Sequence, residues 1–195
     1  MLPGSFFEHE DVVAIAKRLI GCSLHSVVDG VYCSGLIIEA EAYAGAVDKA
    51  SHAFGGRYTG RTKTLYLSAG HMYVYLCYGM HHLFNIVTAP QGIPHAVLIR
   101  ALLPLTGIEA MQERRGNKIP INRLCHGPGN LTKAMGISTI HNGLMLAEGY
   151  IWIESGRQIP EAAIEASARI GVQYAQEDAL LPYRFTLAEN WLQTI

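Results

Sequence analysis

Two carboxylates and a phenol stand at alternate positions of one apolar stretch. Gly35–Tyr43 reads G-L-I-I-E-A-E-A-Y, so Glu39, Glu41 and Tyr43 are each two residues apart. Side chains alternate across a strand, which places all three on one face. Because charges avoid a dry interior unless they are paired, this face predicts the wall of a wet pocket, where a carboxylate can orient and deprotonate water. The alternative is that the strand leaves the core here and both glutamates are solvated.

Tyrosines mark a second stretch, Gly70–Thr88. Strict alternation predicts a strand with one face of Met72, Val74, Leu76 and Tyr78 and another of Tyr73, Tyr75 and Cys77. A turn at Gly79-Met80 would lead into a second strand, Leu83–Thr88, and would carry Tyr78 to a hairpin tip. A large flat side chain at such a tip suits a wedge between base pairs, and Tyr75 suits stacking on a planar ligand. The alternative is that these are ordinary strand aromatics.

Two later stretches carry a lone cation and a capped helix start. His95–Leu103 is an apolar strand interrupted by Arg100. Since arginine does not lose its charge, a buried Arg100 needs a carboxylate, a phosphate or carbonyl partners.

Cys125–Met135 places Gly-Pro-Gly and the capping residue Asn130 before a helical run. The free amides at that helix start could hold a phosphate.

The middle of the chain is strongly cationic, although the formal net charge is only −1. Between Arg57 and Lys133 nine basic residues face two acidic ones, a net charge of +7. Part of this charge lies in Phe54–Lys63, where three glycines are interleaved with Arg57, Arg61 and Lys63. Such a loop could offer amides and cations to phosphates, although it does not match a Walker loop. The distribution favours a polyanionic partner bound by one face, unless folding disperses the charge.

The histidines and cysteines do not form a metal-binding pattern. His81 and His82 are adjacent, and adjacent residues of a strand point to opposite faces. The sequence contains no H-x-H or H-E-x-x-H pattern. The cysteines are widely spaced without a C-x-x-C pair, at positions Cys22, Cys33, Cys77 and Cys125. We therefore expect no bound metal, and reduced thiols of a cytosolic protein rather than disulfides.

The remaining elements form a scaffold for these groups. Asp11 caps a predicted amphipathic helix that ends at Gly21, and Asp29-Gly30 predicts a tight hairpin between Ser23–Val28 and Val31–Tyr43. Further along we predict a helix and three strands, at Gly107–Arg115, Gly149–Glu154, Ala168–Tyr174 and Tyr183–Leu187. The acidic part beyond Gly156 is interpreted as structural.

Length and composition favour a single domain over residues 1–195. The chain has 195 residues, of which 50% are hydrophobic, enough for one well-buried core. No apolar run approaches the ~20 residues of a membrane helix. The N-terminus carries no pattern of an export signal, so we expect a cytoplasmic protein.

An ordered set of four motifs resembles one enzyme family. The motifs are I-I-E-A-E-A-Y-A-G…S-H, M-Y-V-Y-L-C-Y-G-M…F-N-I, V-L-I-R-A-L-L-P and L-C-H-G-P-G-N-L. Together they resemble the 3-methyladenine (alkyladenine) DNA glycosylase family, from Phe6 to Leu187. The resemblance implies an α+β domain with a curved antiparallel sheet flanked by helices and a protruding, DNA-intercalating hairpin. It also implies a hydrolase that excises alkylated or deaminated purines and so starts base excision repair, without metal or cofactor. Because no lysine lies within the motifs to form a Schiff base, we expect a monofunctional glycosylase that does not cut the strand.

The resemblance implies roles for individual residues. Glu41 and Arg100 match the catalytic glutamate and the arginine near it. The residues that match the substrate pocket are Tyr43, His52 and Tyr75, which sandwich the extruded base, and Asn85, which crowds the 2-amino group of normal guanine. Tyr78 matches the residue that fills the gap in the duplex, and Met80 lies beside this wedge. Further DNA contacts are expected from Arg57, Arg61, Lys63 and Asn130.

The chemistry agrees with these roles. A base inside a duplex must be extruded before it can react, which costs roughly a few kcal/mol. A purine alkylated at N3 or N7 is cationic and stacks well on tyrosine. Breaking the N-glycosidic bond builds oxocarbenium character on the sugar, and a carboxylate such as Glu41 can stabilise that charge and activate water.

Two other functions remain open from the sequence. A non-catalytic DNA-damage binding protein would keep Tyr78 and the cationic surface without needing Glu41. A hydrolase of free nucleosides would need Glu41 and tolerate the loss of Tyr78. The expected partner is double-stranded DNA that contains damaged purines, bound by a monomer with no membrane contact, near the nucleoid if the cell is bacterial.

Overall fold

The computed structural model describes residues 1–146 and 150–192. Within these ranges the α-helices are α1 Gly4–Phe7, α2 Val12–Leu19, α3 Ile108–Arg115, α4 Pro128–Met135 and α5 Glu189–Leu192. The strands are β1 Ser23–Val28, β2 Val31–Tyr43, β3 Met72–Cys77, β4 His81–Thr88, β5 His95–Thr106, β6 Ile151–Glu154, β7 Ile164–Ser167 and β8 Arg184–Leu187. Three short 3-10 turns lie in the long connection between β2 and β3, at Gly45–Val47, Phe54–Gly56 and Lys63–Tyr66.

All eight strands belong to one antiparallel sheet built around β2. The strand order is β3-β4-β5-β2-β1-β6, and β8 pairs with both β2 and β7. Along one side β2 pairs with β5. Along its other side β2 pairs with β1 as far as Leu36, and then with β8 from Glu39 to Glu41. Since β2 changes its neighbour halfway along, the sheet curls into a half-barrel, with helices packed against it. The predicted α+β class and curved antiparallel sheet are confirmed.

Two bulges lie where β2 and β5 pass the acidic positions. The pairing register skips Ile38 on β2 and Arg100 on β5. Bulges leave a residue unpaired and redirect its side chain, and they are common next to active sites. Here the result is that the Arg100 guanidinium reaches the carboxylates of both Glu39 and Glu41.

The predicted division of β2 into two faces is confirmed. Ala40 and Ala42 are fully buried in the main hydrophobic core. The intervening Glu39 and Glu41 lie on the opposite face, where both contact Arg100. Helix α2 packs its apolar stripe into the same core, and the Asp11 carboxylate accepts the Ala14 amide at its start, as predicted.

The two hairpins were predicted with different success. Between β1 and β2, Asp29 and Gly30 both have positive φ values, of 54° and 73°, which a two-residue turn of this kind requires. The β3–β4 turn is longer than predicted, because Cys77 pairs with His81 and leaves three residues, Tyr78–Met80, in the loop. Tyr78 therefore belongs to the turn rather than to the strand.

The C-terminal part was predicted least well. The strand expected over Ala168–Tyr174 is wrong, since this segment is a bend followed by a 3-10 turn from Gln173 to Leu180. The edge strand actually formed is β7, and it pairs with β8, which lies within the predicted Tyr183–Leu187. Strand β6 lies inside the predicted Gly149–Glu154, of which Gly149 is outside the described residues. In the described ranges no helix is both long and apolar enough to cross a membrane.

Candidate active site

A cavity of about 580 Å³ opens beside the C-terminal half of β2, within the size range typical of small-molecule sites. The β3–β4 hairpin, the start of α4 and the segment 170–174 complete its wall. Eight of the twelve predicted site residues line it, namely Tyr43, His52, Arg61, Tyr75, Tyr78, Asn85, Arg100 and Asn130. The fold thus brings together residues that are up to 87 positions apart in the chain.

Glu41 itself lies behind the cavity wall. Its Oε2 accepts hydrogen bonds from the Tyr43 hydroxyl at 2.8 Å and from the Arg100 guanidinium at 3.2 Å. Its Oε1 accepts the backbone amide of Ile170 at 2.8 Å. All three donors line the cavity, whereas Glu41 is fully buried. The carboxylate is therefore one layer of side chains away from the cavity.

Glu39 is also buried, and it lies between two arginines. Its Oε1 accepts Arg100 Nε at 2.9 Å and a guanidinium nitrogen of Arg184, from β8, at 3.2 Å. Of the partners predicted for a buried Arg100, the structure provides carboxylates. The expectation that both acids face a wet pocket is corrected, and so is the alternative of two solvated glutamates. Pairing with arginine is what allows both carboxylates to be buried.

Burial and charge act in opposite directions on the pKa of Glu41. Removal from water raises this pKa above its ordinary value, and the Arg100 charge, the Ile170 amide and the Tyr43 hydroxyl only partly counteract that effect. The pKa of the Tyr43 hydroxyl is raised far above its ordinary value by burial and by the neighbouring Glu41. Tyr43 therefore stays protonated and donates to the carboxylate. A perturbed carboxyl beside a cavity is typical of functional sites.

Aromatic rings form one wall of the cavity. The His52 ring meets the Tyr75 ring edge-on, with centroids 4.7 Å apart. His52 Nδ1 also bonds the Tyr73 hydroxyl at 2.9 Å, and the guanidinium of Arg61 lies over the Tyr75 ring at 4.8 Å. Burial and the nearby arginines lower the pKa of His52 to about 4. His52 is therefore neutral at neutral pH and can accept or donate a hydrogen bond.

Asn85 is anchored at the cavity by the backbone around it. Its side-chain amide donates to the carbonyl oxygen of Tyr73 at 3.0 Å and to that of Leu83 at 3.4 Å. Only 4% of Asn85 is exposed. Because both contacts are to strand backbone, the side chain has a fixed orientation at the cavity wall.

The mouth of the cavity is built differently from its interior. Tyr78 is 89% exposed and Met80 71% exposed in the hairpin turn. Tyr78 has a left-handed φ of 50° and Gly79 one of 71°, a conformation that glycine adopts without strain. Three cations of the neighbouring loop are also exposed, namely Arg57, Arg61 and Lys63.

The role predicted for Asn130 as a helix cap is corrected. Helix α4 begins at Pro128 after Gly127, a favourable first position for proline because its missing N–H would be unbonded there. Asn130 lies inside the first turn, and its side-chain amide donates to the carbonyl oxygen of His126 at 2.8 Å. Gly129 packs so close to the hairpin that a Cβ would come within 2.9 Å of the His81 side chain.

The sequence interpretation missed the contribution of segment 168–174. Ile170 and Tyr174 line the cavity, although this region was interpreted as structural. Ile170 acts through its backbone amide, which no sequence pattern identifies. The available signal was Arg169, a lone cation in an apolar stretch like Arg100; its side chain is fully buried and paired with Asp48.

No group of three or more metal-ligand side chains is assembled anywhere in residues 1–146 and 150–192. The four cysteines are free thiols. Burial raises the pKa of Cys22 to about 11 and that of Cys125 to about 12, so these two thiols are protonated at neutral pH.

The amino-acid sequence matches a family of known proteins. The family model described as methylpurine-DNA glycosylase matches residues 5–191. A Chlamydia pneumoniae protein is 45% identical over 189 residues, which are 96% of this chain and 95% of the relative. A Bacillus cereus protein is 44% identical over 192 residues, covering 94% of this chain and 93% of the relative. Both carry 3-methyladenine DNA glycosylase as a provisional name.

Proposed function

The chain belongs to the methylpurine-DNA glycosylase family, and on that premise we propose that it swings damaged purines out of duplex DNA and hydrolyses the bond between base and deoxyribose. As a DNA glycosylase of the 3-methyladenine type it is a hydrolase that acts on DNA. The proposed substrates are alkylated and deaminated purines, and base release would start base excision repair.

One observation carries the proposal. A cavity of about 580 Å³ is lined by aromatic rings and by Arg100, whose guanidinium donates to the buried Glu41. A flat, electron-poor base suits stacking between Tyr43 and Tyr75. A carboxylate close to that base suits the positive charge that develops on the sugar during bond cleavage.

We assign the catalytic step to Glu41 and Arg100. Glu41 would orient and deprotonate the attacking water, while Arg100 holds the carboxylate in place and favours its ionised form. In the free protein the Tyr43 hydroxyl occupies Oε2, the oxygen that also faces Arg100. Water can bond to this oxygen only when the Tyr43 hydroxyl turns away, and we propose that the incoming nucleotide causes this movement.

The alkylated purines are the better matched substrates for this site. An alkylated base already carries positive charge and leaves without an added proton. A deaminated base such as hypoxanthine is neutral and needs protonation, for which solvent is the proposed source. Among the described residues no lysine lines the cavity, which supports a glycosylase that hydrolyses the bond without forming a Schiff base or cutting the strand.

Recognition of the duplex is assigned to the cavity mouth. The exposed Tyr78 would fill the space that the extruded base leaves, with Met80 beside it. Arg57, Arg61 and Lys63 would contact phosphates, as would the start of α4 at Asn130. His52 would bond the sugar-phosphate region of the flipped nucleotide, and Asn85 would crowd the 2-amino group of normal guanine. We propose a monomer acting in the cytoplasm.

The test is single-turnover release of base from four duplexes that each contain one lesion: 3-methyladenine, 7-methylguanine, hypoxanthine or ethenoadenine. We expect release from at least the two alkylated duplexes and none from undamaged duplex. A protein that binds lesion duplex but releases no base would be a damage-binding protein instead. Equal activity on a free nucleoside and on lesion duplex would identify a nucleoside hydrolase.

A further inference from the structure

A buried ion pair outside the proposed catalytic group connects the two sides of the cavity. We propose that the Arg169–Asp48 pair is a positioning device that holds the Tyr43 ring and the Ile170 amide against Glu41. The proposal rests on the proposed function of Glu41, but it concerns a geometry that can be measured independently of activity.

The Arg169–Asp48 ion pair is completely buried and bidentate, with two hydrogen bonds between the guanidinium and the carboxylate. The side chains of Arg169 and Asp48 are 0% and 1% exposed. One guanidinium nitrogen donates to Asp48 Oδ1 at 2.9 Å and the other to Oδ2 at 2.5 Å. The same two oxygens accept the amides of Ala50 and Ala44, at 2.9 and 3.0 Å. Asp48 thus fixes the loop that leads from β2 to the predicted base-binding residue His52.

Arg169 extends this connection to the other side of the cavity. It donates to the carbonyl oxygen of Ala42, in β2, at 2.9 Å and to that of Asp178 at 3.1 Å. Its guanidinium contacts two tyrosine rings, Tyr43 at 4.8 Å and Tyr183 at 5.3 Å. One side chain therefore joins the end of β2, the 173–180 turn and the approach to β8.

Two of the three hydrogen bonds to Glu41 depend on this arrangement. The Ile170 amide, which bonds Oε1, belongs to the residue that follows Arg169. The Tyr43 hydroxyl, which bonds Oε2, belongs to the ring that Arg169 contacts. A buried ion pair is weak evidence for stability, because desolvation offsets the attraction between the charges. A role in fixing geometry accounts for the contacts better than a contribution to stability alone.

The test compares the Arg169→Lys variant with wild type. Lysine keeps the charge but lacks the planar fork, so the contacts to Asp48 and Ala42 cannot all be kept. We expect the single-turnover rate on a 7-methylguanine duplex to fall about 10- to 100-fold, as for small displacements of catalytic groups. We also expect faster hydrogen exchange of the Ile170 amide, measured by NMR in the absence of DNA.

The pH–rate profile adds a readout that a purely structural role would leave unchanged. The Ile170 amide lowers the pKa of Glu41, so weakening this bond raises that pKa. Activity that needs the ionised carboxylate is lost as the pH falls through this pKa, and the acidic limb of the profile moves to higher pH. The titratable and charged groups facing Glu41 are Glu39, Tyr43, Arg100, Arg169 and Tyr174.

Arg114→Lys is the matched control. Arg114 donates to the carbonyl oxygens of Ala134 and Val28, at 3.0 and 3.3 Å, and does not line the cavity. This variant also loses guanidinium contacts to backbone, so it reports the general cost in thermal stability. We expect its rate to stay within about twofold of wild type, because distant sites act independently. The acidic limb of the pH–rate profile of Arg114→Lys and the hydrogen exchange of its Ile170 amide should match wild type.

A milder variant keeps the proposal testable if Arg169→Lys does not fold. Tyr183→Leu removes the ring on one side of the guanidinium and leaves the ion pair with Asp48 intact. We expect a smaller rate loss, about threefold, with faster exchange of the Ile170 amide. Unchanged exchange together with an unmoved acidic limb, in whichever of the two variants folds, would overturn the positioning role.

The experiment also separates this proposal from the proposed function. Wild-type protein that releases no damaged base would refute the proposed function, and Ile170 exchange in the variants would still decide the positioning role. Active wild-type protein, with unchanged exchange and an unmoved acidic limb in a folded variant, would refute only the positioning role.

Discussion

The inner end and the mouth of the cavity are built in opposite ways. We call the group of Glu39, Glu41 and Arg100 the inner end; Arg100 lines the cavity and the two carboxylates lie behind it. All three are buried, and each is bonded to another side chain of the group. At the mouth Tyr78 and Met80 extend into solvent, 89% and 71% exposed. The inner geometry is therefore specified by the chain itself, before any ligand arrives. The exposed residues at the mouth are those that the proposed function assigns to contact with duplex DNA.

This difference predicts that substitutions at the two ends will have different effects. Removing one member of a buried charged group leaves another charge without compensation, so small changes at the inner end have large effects. Exposed residues outside such groups usually change stability by less than about 0.5 kcal/mol. Variants of the inner end should therefore alter the reaction step, and variants of the mouth should alter the interaction with duplex DNA.

Glu41→Gln should have the largest effect. The amide keeps the shape of the side chain but cannot take a proton from water, so base release should fall at least about 10³-fold, within the range for general-base catalysis. Binding to lesion duplex should persist, because Glu41 lies behind the cavity wall. The measurements are single-turnover release and equilibrium binding on the same duplex.

The matched control for this change is Glu161→Gln. Glu161 is an exposed acid paired with Lys17, outside the cavity. The control should release base at the wild-type rate. Undiminished release by Glu41→Gln would contradict the assigned mechanism. The reaction step could then no longer be assigned to the inner end of the cavity.

Tyr78→Ala should have the second largest effect, and only on duplex substrates. Aromatic stacking on a base is worth about 1–3 kcal/mol, so activity on a lesion duplex should fall about 10- to 100-fold. Thermal stability should be unchanged, because Tyr78 is 89% exposed. The measurement is base release from lesion duplex and from the same lesion in a single strand, where no gap needs filling.

Tyr150→Ala is the control for the loss of an exposed tyrosine. Tyr150 is 59% exposed and lies next to β6, at the far edge of the sheet from the hairpin. It should leave both activities unchanged. An equal loss on duplex and single strand for Tyr78→Ala would show that Tyr78 acts within the cavity and not as a wedge.

Some features of the inner end could be predicted from the sequence and others could not. The faces of β2 follow from strand periodicity, and the need of a buried Arg100 for a carboxylate, phosphate or carbonyl partner follows from residue type. Both are confirmed, and the partners prove to be carboxylates. The depth at which Glu41 lies does not follow, because it depends on Ile170, 129 positions away, reaching the carboxylate through a backbone amide. A backbone group has the same chemistry at every position, so the sequence does not distinguish it.

A contact between distant parts of the chain also accounts for the wrong prediction of a strand over Ala168–Tyr174. The apolar residues there suggest a strand, whereas Arg169 is held by Asp48 and by β2, and the chain bends around this contact. The Tyr78 turn shows a smaller error of the same kind. Alternation predicted a strand through Tyr78, but the positive φ values of Tyr78 and Gly79 end it at Cys77.

A third prediction concerns the salt dependence of DNA binding. Arg57 and Lys63 are exposed on the loop beside the cavity, so replacing both by glutamine should remove up to two phosphate contacts. The slope of log affinity against log salt concentration should then become shallower by about 0.9 per lost contact. Binding to damaged and undamaged duplex should weaken by the same factor, which titrations over a range of salt concentrations would measure.

The control for that change is Arg157→Gln, an exposed cation outside the cationic middle of the chain. It should leave the slope unchanged. A slope that stays at its wild-type value in the double variant, or that falls equally in the control, would show that the duplex does not follow this loop.

Tyr43→Phe should have the smallest effect, and it tests how tightly the inner end is held. The ring that contacts Arg169 is kept, while the hydroxyl that bonds Glu41 Oε2 is lost. This hydroxyl lowers the pKa of Glu41, so its removal raises that pKa. Because the reaction needs the ionised carboxylate, activity is lost at a higher pH than in wild type. The measurement is the pH profile of kcat/KM, which reports the free protein, where the hydroxyl is bonded to Glu41. Its acidic limb should move upward, while the plateau changes by no more than about threefold.

Tyr66→Phe provides the comparison, since the Tyr66 hydroxyl donates to the carbonyl oxygen of Arg57 at 3.1 Å and does not contact Glu41. Its profile should match wild type. If the acidic limb of Tyr43→Phe also stayed at the wild-type position, the Tyr43 hydroxyl would not be bonded to Glu41 in solution. The buried carboxylate would then need no movement of the Tyr43 hydroxyl to meet its substrate.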